Sequence, residues 1–167
     1  MPPWRAGRSP SRGFRSRGSG NMESLTTLFG EIDTRELTPE LETRWYQRGR
    51  QGFDFLYSQL SGAGGEGASE WQLVHGLYML SRMRFQRDPE LVRKLLSAFA
   101  RDDRLRVRSR AAQYLVGTMR SEALTGKRVA DAHPEYLAAL QEALALGVHK
   151  RSERFVRSGL RALDQPT

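Results

Sequence analysis

One pattern for starting a helix recurs three times along this chain: Thr38-Pro39-Glu40-Leu41, Asp88-Pro89-Glu90-Leu91 and His133-Pro134-Glu135-Tyr136. Proline holds φ near the helical value and lacks the N–H that a first helical turn leaves unpaired, and the glutamate after it faces the positive end of the helix dipole. The second and third starts align without a gap at an offset of about 45 residues. Val92 then matches Leu137, Leu95 matches Leu140, Ala98 matches Ala143 and Phe99 matches Leu144. Farther on, Ala111 matches Val156, Leu115 matches Leu160 and Thr118 meets Leu163. A period of this length belongs to two-helix units, each of which leaves an apolar face open until a neighbour stacks on it. An all-α fold of about three such units is expected.

The remaining segments fit that plan. Met22, Leu25, Leu28, Phe29 and Ile32 share one helical face and predict a short lead-in helix. From Pro39 the residues Leu41, Trp45, Phe53, Leu56 and Leu60 keep to one side of a second helix, in which Gly49 and Gly52 mark a kink or a close contact. The run SGAGGEGAS (Ser61 to Ser69) ends it. No strand precedes this run and no Gly-Lys-Ser/Thr follows, so it is a connection and neither a phosphate loop nor a dinucleotide fingerprint. Ser69 with Gln72 forms a capping box, after which Trp71, Val74, Leu77, Tyr78 and Met79 carry an apolar, centrally placed helix to about Arg84.

The stretch from Asp103 to Leu115 sets an acidic turn before Val107-Arg108, Ala111 and Leu115. This Val-Arg-x-x-Ala-x-x-x-Leu pattern resembles the second helix of HEAT and armadillo-like repeats. The third unit has Ser152-Glu153 in place of Val-Arg, and the first unit is longer. The resemblance implies a short HEAT-like α-solenoid of about three helical hairpins over residues 22–167. It implies second helices lining a concave surface and a habit of binding extended protein partners, with no reaction. By the same resemblance Arg108 pairs with an acid of a neighbouring turn.

Charge selects the candidate surface. The formal net charge is +8, but residues 1–21 hold Arg5, Arg8, Arg12, Arg15 and Arg17 with no acid. From Met22 to Asp103 acids outnumber bases 13 to 10, and from Arg104 to Thr167 bases outnumber acids 12 to 6. On the second-unit helix Arg106, Arg110, Gln113 and Arg120 edge the buried arc of Val107, Ala111, Tyr114, Leu115 and Thr118, with small Gly117 between them. On the last helix Lys150, Arg154, Arg157 and Arg161 form a basic face opposite Val156, Leu160 and Leu163. The expected partner is an acidic protein surface, and the expected role is that of a non-catalytic protein-binding adaptor or inhibitor, a scaffold for protein–protein interaction. The alternative is a nucleic-acid-binding module that uses the basic tail and the last helix. Contact between the acidic first unit and the basic last unit of two copies is a third reading.

Residues 1–21 mix Pro, Gly, Ser and Arg without an apolar face. They cannot offset the entropy of ordering and are expected to form a disordered basic tail. Polyanion contact, a transit peptide, or an upstream extension before a start at Met22 each account for it. The chain has no cysteine, which excludes disulfides, thiol catalysis and thiolate metal sites. With no apolar run of membrane-spanning length and no secretory signal, a soluble cytoplasmic protein without membrane contact is expected. His75, His133 and His149 are isolated from one another; His75 reads as a hydrogen-bonded core residue and His133 as a helix-start residue. Asp102-Asp103 reads as a turn and not a catalytic dyad. No catalytic residue, metal or cofactor is nominated.

Overall fold

The computed structural model describes residues 23–62, 66–123 and 133–164; the tail expected over 1–21 and Met22 lie outside them. Among the described residues the fold is all-α, with no strand. Its helices are α1 Leu25–Glu31, α2 Pro39–Tyr46, α3 Gly49–Ser61, α4 Glu70–Arg82, α5 Pro89–Phe99, α6 Leu105–Ala123, α7 Pro134–Leu146 and α8 Lys150–Asp164.

Two of the three proline starts are capped as the sequence predicts. The Thr38 hydroxyl accepts the Leu41 N–H at 3.3 Å, and the Asp88 carboxylate accepts the Glu90 N–H at 3.0 Å. His133 precedes Pro134 without a side-chain cap bond. The capping box forms, with the Gln72 N–H donating to Ser69 Oγ (3.1 Å) and the Ser69 N–H to Gln72 Oε1 (2.8 Å). The same two side chains reach back to the first helix, since Gln72 Nε2 donates to Phe29 O and the Ser69 hydroxyl to Asp33. Ser69→Ala is therefore expected to lower stability by about 1 kcal/mol, measured by urea denaturation, with Ser69→Thr retaining most of it.

The single helix expected from Pro39 to about Leu60 is two helices. The break comes at Gln47-Arg48, and Gly49 takes φ +53°, a left-handed conformation that a side chain resists. The bend lets Trp45 on α2 and Phe53, Leu56 and Leu60 on α3 reach one core. The next helix stops at Arg82 and not at Arg84; Arg84–Gln86 form a separate 3-10 turn.

The hub of the fold is α6, which packs against α4 and α8 as well as α5 and α7, while α5 and α7 also touch each other. The sequence pattern pointed to α4 for this place. Val107, Ala111, Leu115 and Thr118 are buried as expected and Tyr114 partly so, but Arg108, Ser109, Ala112, Val116 and Met119 are enclosed too. Helix α8 comes so close to α6 that a Cβ at Gly159 would collide with Val116 Cγ2.

The helix starts repeat at 45 residues, but burial in the first helices does not. Helix α5 buries Val92, Leu95, Leu96 and Phe99, and α7 buries Tyr136, Ala139, Leu140 and Ala143, an offset of 44. Ala98 is exposed where Ala143 is buried, and Leu137 and Leu144 are only partly covered. One residue is about 100° of helix rotation. The turn is taken by Tyr136, whose ring enters the core while its hydroxyl donates to Glu90 Oε2 at 2.6 Å. In α6 and α8 the expected pairs Ala111/Val156 and Thr118/Leu163 are buried, with Leu160 partly buried.

Among the described residues Arg108 does not pair with an acid. Its guanidinium donates to backbone carbonyls: Nη1 to Asp102 (2.8 Å) and Asp103 (3.2 Å), Nε to Gly147 (2.7 Å). The turn before α6 and the turn before α8 both present backbone carbonyls to it, and a planar donor with five N–H groups satisfies several at once.

Candidate functional site

Helices α4 and α8 flank α6 and leave one of its faces open. Along it lie two adjoining cavities of about 380 and 350 Å³ that share Gly117, Ser121 and Phe155. One is largely apolar, with Ala123, Ala162 and Leu163 in its wall and Arg120 at its edge. The other is lined by Tyr78, Tyr114, Gln113, Arg82 and Arg84. The two tyrosine rings meet at 5.6 Å between centroids, and the Arg120 guanidinium lies over the Phe155 ring at 5.9 Å. Phe155 is 37% exposed. Among the described residues no carboxylate lines either cavity.

The predicted residues divide. Arg110 and Arg120 are exposed on the open side of α6 and make no ion pair among the described residues. Arg106 is held by its own chain, 4.2 Å over the Trp71 ring and 3.5 Å from Glu70. Gln113 Oε1 accepts the Ser152 hydroxyl (3.2 Å), which joins α6 to α8. Lys150, Arg154, Arg157 and Arg161 are exposed on α8, but helical spacing sets them well away from Phe155 and the groove. Arg157 Nε also donates to Glu153 at 3.0 Å. The two basic sets therefore belong to different surfaces.

Arg82, Arg84, Tyr78 and Phe155 were not nominated from the sequence. Tyr78 reads as core because it sits in an apolar helix, and Phe155 reads as an interruption of a charged run. Arg82 ends a buried helix and Arg84 opens the 3-10 turn after it, where only packing reveals that they overhang a groove. Burial, with Arg93 and Arg82 nearby, pushes the Arg84 guanidinium below its ordinary pKa. Burial likewise raises the Tyr114 hydroxyl to about 12, so it remains a donor at neutral pH.

Beneath the surface lies an ionic network that no sequence pattern announced. Arg93 on α5 is fully buried and ion-pairs with Glu90 of its own helix and Glu122 near the end of α6. Glu90 also accepts the Tyr136 hydroxyl, and His133 Nε2 lies 3.5 Å from it. His75 is buried with Nε2 2.7 Å from Thr34 O, and burial lowers its pKa, as suits a neutral core histidine. Asp102 accepts the Arg104 N–H and side chain at 2.9 Å; those hydrogen bonds hold its carboxyl below the usual range and make it a turn residue. Among the described residues no three His, Asp or Glu side chains converge to hold a metal ion, and no helix is long and apolar enough to cross a membrane.

Fold and groove together define, among the described residues, an all-helical protein whose central helix borders a groove of arginine and aromatic side chains. Comparison with protein-family models, with curated proteins and with solved structures finds nothing that matches this chain.

Proposed function

We propose that the chain is a non-catalytic protein-binding adaptor or inhibitor on a HEAT-like helical repeat, with the groove beside α6 receiving an acidic protein segment. The observation that carries this is the lining: Arg82, Arg84 and Arg120 beside Tyr78, Tyr114 and Phe155, without an acid among the described residues. Cations steer and orient an acidic partner, and aromatic side chains with arginine are the residues on which interface energy concentrates. The repeat reading is supported by α4, α6 and α8 standing side by side, backed by α5 and α7. It is supported also by Arg108, which ties the turn of one unit to that of the next. The test is binding of the full chain to acidic and neutral peptides at two ionic strengths. Arg110→Glu with Arg120→Glu is expected to weaken acidic-peptide binding at least about tenfold, a loss of ~1.4 kcal/mol. Equal binding by the variant would overturn the proposal.

A second reading, nucleic-acid binding through the outward face of α8, is favoured by Lys150, Arg154 and Arg161, exposed and without an ion pair among the described residues. Four phosphate contacts on duplex DNA predict a log–log salt slope of about −3.6, which Arg154→Glu with Arg157→Glu should roughly halve.

A further inference from the structure

We propose that the Arg84 end of the groove is an anion site for a phosphate monoester carried on an aromatic or apolar side chain of the protein partner. This rests on the groove reading above and names the chemistry of its occupant.

The polar groups still available in this recess are donors. Arg84 Nη1 and Nη2 are placed by Ser81 O (2.7 Å) and Ser121 Oγ (3.2 Å), while its Nε is buried and without a partner. The Ser81 and Thr118 hydroxyls are spent on the Tyr78 and Leu115 carbonyls. Ser121 accepts from Arg84, which leaves its own proton to give. The Gln113 amide nitrogen is likewise uncommitted, since only Oε1 is engaged. A half-buried guanidinium is costly to leave without an anion; its Nε is enclosed, and the remaining hydrogen on each Nη is what an oxyanion in the groove would meet.

Charge decides which oxyanion. Among the described lining residues Arg82 and Arg84 place two positive charges at this end, and Glu42 reaches the Tyr78 hydroxyl from outside the lining. A carboxylate or a phosphodiester brings only one negative charge to the two guanidinium groups. A monoester above its second pKa, near 6, brings nearly two, with three terminal oxygens for converging donors. The carrier follows from the neighbours: the Tyr78/Tyr114 pair flanks the anion end, and the adjoining compartment is walled by Ala123, Ala162 and Leu163. A nucleic-acid strand would want cations spaced along a track, whereas these are gathered at one end.

The test is calorimetric titration of the full chain with phenyl phosphate, inorganic phosphate, benzoate and phenyl methyl phosphate. Phenyl phosphate is expected to bind at least about tenfold more tightly than benzoate or the diester. Its affinity should fall as pH drops below about 6, where the dianion is lost. Arg84→Gln and Ser121→Ala should weaken it, and Arg157→Gln on the outward face of α8 should not. If Arg84→Gln loses its far-UV dichroism, Arg82→Gln, at an exposed position, takes its place. Equal binding of benzoate or the diester, binding that survives Arg84→Gln, or tighter binding of a short oligonucleotide would overturn the inference. Binding of unphosphorylated acidic peptides that depends on Arg110 and Arg120, with no response to phenyl phosphate, would sink the phosphate site and leave the groove reading standing.

Discussion

Arg93→Ala is expected to lower folding stability by about 3–5 kcal/mol, a large part of what a domain of this size holds in reserve. Arg93 is only 1% exposed, and its guanidinium lies against Glu90 and Glu122, with the Tyr136 hydroxyl 2.6 Å from Glu90. Truncation removes the buried cation that Glu90 and Glu122 share and opens a cavity in the core. It also removes the charge that joins α5 to the end of α6 and, through Glu90, to the start of α7. Urea denaturation measures the loss, and a change below about 1 kcal/mol would mean that the network is not closed as described. Arg93→Met combined with Glu90→Gln and Glu122→Gln should recover most of it, because a buried ion cluster replaced as a whole is often neutral or stabilising.

Gly159→Leu is expected to cost about 2–3 kcal/mol, at the upper end of what overpacking a close helix contact does. A Cβ there meets Val116 Cγ2 and lies 3.3 Å from Arg120 Cδ, so a branched side chain must lever α8 away from α6. That movement separates Phe155 from Gly117 and Ser121, the three residues shared by the two cavities. The variant should therefore lose partner binding as well as stability. Val116→Ala in the same chain clears space at the contact and should restore at least half of both. Absence of rescue in thermal melts of the double variant would place the strain elsewhere.

The helical class and most helix starts were legible because they depend on local chemistry. Thr38, Asp88 and Ser69 cap within three residues of themselves, and proline sets its own φ. The break at Gly49 was marked but not resolved, since a glycine inside an apolar run permits either a straight helix or a bend and packing chooses between them. The 45-residue offset located the helix start at Pro134 and misjudged the rotation of that helix by one residue. The alignment counts from Pro89 and Pro134, whereas the facing is set by where the Tyr136 ring fits and by its hydrogen bond to Glu90.

For the candidate site, periodicity put Arg110 and Arg120 on the open side of α6. It also put Arg106 there, which the Trp71 ring and Glu70 in fact hold. Sequence alone determined an all-helical chain, the places where its helices begin and the basic character of its last third, because capping, backbone restriction and charge are properties of neighbouring residues. Tertiary structure decided that α6 is the hub, that Arg93 is buried, and that Arg82, Arg84, Tyr78 and Phe155 share one groove. Those facts depend on residues tens of positions apart, and which side chains meet is set by rotation and close approach of whole helices.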